Sequence, residues 1–312
     1  MSFSYADGAK EVYDALYQYK NPEEREAAMV EIIKKYNLAQ RVAIRKYYDG
    51  VYAQKSLLED FEDRLAGHFR TCTKHLFMDP VEYDVLEIFY AFDKFTYDKK
   101  NIYEYATSRP YWMLQKIKEK FKEKYNKDIE LYIKEKFDPD IANGLIALFN
   151  TERSDVREVD MNKCQALYRE LKGKKPKEWL HDQNIFKKIF ASCSPAELIM
   201  IGRYFYMENK QDLTAYITSE LSSDEAKFLN EILYNTCRPC QLFAMKINEA
   251  CTGLGTNEYA LNRILGTRNE IDMKLIKKLY KYLYNVELED DIREDTKGNY
   301  RELLCTLINK QQ

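Results

Sequence analysis

Along most of the 312-residue chain, apolar side chains recur at steps of three and four. Between residues 257 and 285 the set Tyr259, Leu261, Ile264 and Leu265 is followed by Met273, Ile276, Leu279, Tyr280 and Leu283. Val12, Leu16 and Tyr19 take the same step near the N-terminus, as do Met29, Ile32 and Ile33. Positions so spaced share one face of a helix with 3.6 residues per turn, so each run predicts an amphipathic helix. Ten glycines and seven prolines leave little turn punctuation, and strand signals are few. The pattern predicts an all-α chain.

Three markers recur in one order, four times. YDAL begins at Tyr13, YDVL at Tyr83, CQAL at Cys164 and CQLF at Cys240, at intervals of 70, 81 and 76 residues. MVEII (29–33), IYEYA (102–106), FKKIF (186–190) and LNRIL (261–265) form a second set. LLEDFEDRL (57–65), DIELYIKEKF (128–137), DLTAYITSEL (212–221) and LEDDIREDTKG (288–298) form a third, whose ends align Arg64, Lys136, Glu220 and Asp295. Fixed-order markers at a fixed period are the signature of stacked helical repeats. The expected repeats are 1–80, 81–152, 153–234 and 235–312.

One stretch, CTGLGTNEYALNRILGTR (251–268), carries two of the ten glycines within four residues, Gly253 and Gly255. Such a Gly-x-Gly-Thr turn, the arginine of ILGTR (Arg268) and an acidic residue 39 positions after Thr256, which is Asp295, resemble the annexin family. So does LAQRVAIRKYYDGVYAQKSLLEDFEDRLAGHF (38–69). The resemblance spans essentially the whole chain. The 26 tyrosines and the loss of most glycine turns look most like protozoan alpha-giardins. It implies an annexin-like disc of four repeats, about five helices each, and a Ca²⁺ site in the turn. Almost nothing precedes the first repeat, so a regulatory N-terminal arm is not expected.

The implied ligands are the backbone carbonyls of Cys251, Gly253 and Gly255 and the carboxylate of Asp295. The chemistry fits the residue types. Ca²⁺ takes six to eight oxygens at about 2.3–2.6 Å, and glycine lets a turn aim several carbonyls at one point without steric cost. A glycine turn also ends helices for no other reason. The repeats and the spacing to Asp295 decide for the site. In the other repeats the glycines are replaced: Asn21-Pro22-Glu23-Glu24, Lys94-Phe95-Thr96-Tyr97 and Glu178-Trp179-Leu180-His181. Arg64 and Lys136 would repel a cation, whereas Glu220, with Asp182 and Glu178 nearby, leaves a weaker candidate in the third repeat.

The resemblance also implies that these turns face a membrane. Leu254 and Trp179 are then candidate lipid contacts, with Pro22 and Phe95 at the same position; packing on their own helices is the alternative. KGKKPK (172–177) carries Lys172, Lys174, Lys175 and Lys177. It is either a solvated loop or a contact for anionic lipid, or for an acidic filament such as a microtubule.

Charge and thiols narrow the classes. Forty-nine basic residues against 51 acidic ones give a net charge of −2, which argues against a dedicated nucleic-acid binder. No stretch approaches 18 apolar residues and no signal peptide is legible. The seven cysteines are expected to be free thiols of a reducing cytosol. Cys237-Arg-Pro-Cys240 lacks a strand context or a second ligand pair. The three histidines form no readable triad, and GLGT lacks the lysine of a phosphate loop. An enzyme is not expected. The expectation is calcium-dependent binding to anionic phospholipid membranes, linking membrane to cytoskeleton, in the cytoplasm at the plasma membrane, the cytoskeleton or flagella. The alternative is a cytoskeletal scaffold with little calcium-dependent lipid binding.

Overall fold

The computed structural model describes residues 3–52, 55–93, 98, 101–253 and 255–310. Among them are 21 α-helices, one π-helical stretch (Phe186–Ala191) and no strand. The helices follow one order four times, with the second position of the third set broken into Pro176–His181, Gln183–Ile185 and the π-helical stretch.

The fourth helix of each set shows how sequence dictates the repeat. Leu57–Arg64, Ile129–Lys136, Leu213–Glu220 and Leu288–Asp295 are each eight residues long and end on the four aligned cap positions. Each buries its first and fifth residues: Leu57 and Phe61, Ile129 and Ile133, Leu213 and Ile217, Leu288 and Ile292. Residues four apart stack on one face, so two apolar anchors seat a two-turn helix. Its start is set by local capping in three cases, by Ser56 with Glu59, by Asp128 and by Asp212.

Compactness divides the chain into two units, residues 1–80 with 243–312, and residues 81–242. In the first, the helix Gly298–Asn309 packs on Pro22–Lys35, and Glu258–Arg268 packs on Gly67–Leu76. The two sequence ends thus share one core. A buried Arg41 fastens it, donating to the carbonyls of Leu76 (2.8 Å) and Tyr36 (2.6 Å) and to the carboxylate of Glu270 (3.1 Å). Glu270 also accepts the Leu38 N–H at 2.9 Å and pairs with Lys310 at 2.9 Å. A buried guanidinium is tolerated only when so matched.

In the second unit, Asn101–Ser108 packs on Ser223–Cys237, around a core rich in aromatic rings. Phe186 and Phe228 stack at 5.9 Å between centroids, and Tyr103 tilts against Phe228 at 5.0 Å. Gly144 lies under this cluster, where a Cβ would come within 2.7 Å of the Phe228 ring. The buried Arg109 donates twice to Asp84, at 2.7 and 2.9 Å.

Candidate metal centre

The helix Pro239–Thr252 stops at the glycine pair. Gly255 adopts φ +86°, a conformation that glycine takes without Cβ strain. The Asn257 N–H then reaches back to the Ala250 carbonyl at 2.9 Å. The Asn257 side chain caps the next helix, Glu258–Arg268, by accepting the Ala260 N–H at 3.0 Å. The turn is closed on one side by backbone and on the other by the Asn257 side chain.

A distant carboxylate joins it. Asp295 ends the helix Leu288–Asp295, and its backbone carbonyl accepts from Thr256 Oγ1 at 3.1 Å. This contact realises the 39-residue spacing. Oδ2 of Asp295 is enclosed and has no hydrogen-bond partner. A buried carboxylate oxygen left unpaired is costly, so it marks a position where a cation would be welcome. The half-buried Cys251 thiol lies in the field of this acid: burial, then the charges of Asp295 and Asp291, push it up to about 12. Asp291 itself accepts from the Tyr280 hydroxyl at 2.5 Å. Among the described residues no three His, Cys, Asp or Glu side chains converge as a metal site. A site here therefore depends on backbone carbonyls plus one carboxylate, a donor set suited to a hard cation. The expected ligands Cys251, Gly253, Gly255 and Asp295 supply that donor set by residue type; Leu254 lies outside the described residues.

The first and third repeats fill the equivalent space from within. In the first, the residue 39 positions before Arg64 is Arg25, one place beyond the Glu24 that the sequence alignment sets against Thr256. Its guanidinium donates to the carbonyls of Arg64 (2.6 Å) and Tyr19 (3.0 Å). Sequence reading missed Arg25, although the 39-residue interval points to it. The Arg64 guanidinium sits 4.4 Å over the Tyr17 ring. In the second repeat, Lys94, Phe95, Thr96 and Tyr97 lie outside the described residues.

The third repeat overturns three expectations. Glu220 does not face an open turn: Lys175 pairs with its Oε2 at 3.2 Å. Residues 176–181 are helical where the glycine turn would be, so their carbonyls are turned along a helix axis. Glu178 accepts the Lys175 N–H, and Asp182 accepts those of Asn184 and Ile185, as caps. The weaker candidate is thus a salt bridge. Trp179 is not a lipid contact. It is 1% exposed, its indole N–H donates to the Leu171 carbonyl at 3.1 Å, and Phe190, Phe205 and Tyr216 surround it. Hydrophobic burial wins because the helix turns this ring inward.

The third correction is the basic segment. Lys172 pairs with Glu208 (2.6 Å), Lys174 with Asp182 (3.7 Å), Lys175 with Glu220, and Lys177 with Asp140 (3.0 Å) and Glu225. Four lysines meet five carboxylates, so no surplus positive charge is left for an anionic surface. Cys237 and Cys240 are free thiols, and burial pushes Cys237 up to about 11, far from a reactive thiolate.

Comparison with known proteins finds relatives in both sequence and fold. The annexin family model matches residues 83–148 and 242–307, the latter containing the whole turn and Asp295. Human annexin A1 is 28% identical over 282 residues, covering 90% of this chain and 81% of its own. Mouse annexin A11 is 27% identical over 90% of this chain and 56% of its own. The solved structure of annexin III superposes with a TM-score of 0.89 at 24% identity, covering 100% of this chain and 95% of its own. The calcium-bound structure of alpha-14 giardin superposes at 0.79 and 18% identity, covering 98% and 99%.

Proposed function

We propose that this chain, which is similar to annexins in sequence and fold, binds anionic phospholipid in a calcium-dependent manner, as that family does, through one turn, residues 251–256, completed by Asp295. The observation that carries this reading is the enclosed, unpartnered Asp295 Oδ2 beside a turn with Gly255 at positive φ. In this reading the Cys251, Gly253 and Gly255 carbonyls and the Asp295 carboxylate hold Ca²⁺, which when bound supplies a positive charge able to take a lipid phosphate oxygen as a further ligand. Thr256 does the positioning: its hydroxyl fixes the Asp295 backbone against the turn. With a single formal negative charge among the protein ligands, affinity for Ca²⁺ alone is weak and rises where anionic lipid adds its own oxygens.

Attachment is peripheral in this reading, since among the described residues no helix is long and apolar enough to cross a membrane. A single site cannot multiply weak contacts as four would, so binding needs high calcium or a strongly anionic surface. A link to microtubules or other cytoskeletal protein completes the proposed role as an adaptor. Sedimentation with phosphatidylserine vesicles across a calcium series tests the membrane part. Recovery in the pellet only with calcium supports the reading, and sedimentation with microtubules alone favours the scaffold instead.

A further inference from the structure

The helix Met273–Tyr284, MKLIKKLYKYLY, buries Met273, Ile276 and Tyr280 and turns a row of lysines outward. Lys274, Lys277, Lys278 and Lys281 are spaced i, i+3, i+4 and i+7, which places them along one face within about 10 Å of helix axis. With Ile308, Asn309 and Lys310 at the end of the last helix, they line an open cleft of about 910 Å³. Only part of this charge is spent. Lys281 pairs with Glu287, Lys310 with Glu270, and Lys277 donates to the neutral Asn309 Oδ1 at 2.6 Å. No described carboxylate pairs with Lys274 or Lys278, and both are exposed. The contrast with the segment 172–177 is sharp, since there every lysine has its acid.

The cleft is also remote from the calcium turn. Thr256 and Asp295 join the start of Glu258–Arg268 to the end of Leu288–Asp295. The lysine helix connects the opposite ends of the same two helices, about 12–16 Å away along their axes.

We propose that this cleft binds a ligand bearing clustered phosphates, independently of calcium. Two ammonium groups without a carboxylate partner, Lys274 and Lys278, beside Lys277 on a neutral amide, call for several negative charges at similar spacing, and each phosphate monoester brings close to two. Lysine acts on phosphate as a point charge and needs no fixed donor fork. The helical walls satisfy their own backbone groups, so they offer no edge for an acidic peptide to pair with. The ligand's source is either a soluble polyphosphate or the headgroup of a multiply phosphorylated lipid.

The test uses the full chain in calcium-free buffer and two probes: inorganic tripolyphosphate by calorimetry, and phosphatidylcholine vesicles carrying phosphatidylinositol bisphosphate by sedimentation. Lys274→Gln with Lys278→Gln removes the unspent charge; Lys120→Gln with Lys227→Gln, both exposed and elsewhere, removes the same total charge. The expected result is binding of at least one probe, weakened about tenfold or more by the first double variant and unchanged by the second. Response to tripolyphosphate alone assigns a soluble ligand, and response to vesicles alone assigns a lipid headgroup. Binding of neither probe, equal weakening by both double variants, or tighter binding of oligoglutamate than of tripolyphosphate overturns the proposal.

Discussion

The Arg25 guanidinium donates at 2.6 Å to the carbonyl of Arg64, 39 residues further on, the separation at which Thr256 donates to Asp295. One contact is made by a hydroxyl beside a carboxylate with one enclosed, unpartnered oxygen, the other by a cation that needs no metal. Arg25→Thr should therefore not create a calcium site, because Arg64 still offers a positive side chain at the cap. It should lower stability by about 1–2 kcal/mol, the scale of a lost charge-assisted hydrogen bond at a partly exposed site. Urea unfolding measures the loss, and calcium titration of the same variant should be indistinguishable from wild type.

Glu220 is spent on Lys175. Glu220→Gln should leave the number of calcium ions bound and their affinity unchanged, as read by calorimetry. A decrease would mean that the third repeat opens in solution into a site that its helix Pro176–His181 now closes.

Trp179 should report a core and not a membrane. Trp179→Ala removes a fully enclosed indole and should cost about 3–5 kcal/mol. In a Trp112→Phe background, where Trp179 is the only indole left, its emission should be blue-shifted and unmoved by vesicles with calcium.

These corrections indicate what the sequence could and could not convey. The all-α class and the four cap positions were legible because two anchors per short helix, such as Leu57 with Phe61 and Leu288 with Ile292, repeat at fixed intervals. The approach of Asp295 to the turn was legible through the family's 39-residue spacing from Thr256, and the contact made runs from the Thr256 hydroxyl to the Asp295 backbone carbonyl. The partners of Lys172, Lys174, Lys175 and Lys177 were not legible: their acids come from residues 8 to 48 positions away along the chain, and from the previous repeat in the case of Asp140. Trp179 was ambiguous for a related reason. An apolar residue in a turn and one in a short helix look alike until the helix is known to start at Pro176.

Acid should weaken the first unit. His75 has its Nδ1 enclosed, and burial, with Lys74 beside it, pushes the imidazole down to about 3 from 6.5. The unfolded chain then binds a proton that the folded one refuses, so this stability is complete above about pH 6.5 and is lost as pH falls below it, by up to about 1.4 kcal/mol per unit. His75→Asn should flatten the decline between about pH 6.5 and 5 in urea unfolding.

The most direct test of the calcium reading is sedimentation of wild type and Asp295→Asn with phosphatidylserine vesicles, with calcium and with chelator. The substitution keeps the shape and the Thr256 contact to the backbone while removing the one charged ligand, so circular dichroism and unfolding should match wild type. The expected result is calcium-dependent pelleting of wild type that the variant loses, needing at least about tenfold more calcium. Equal calcium-dependent pelleting of both proteins would contradict the account, and would place the calcium elsewhere than the turn between Cys251 and Thr256.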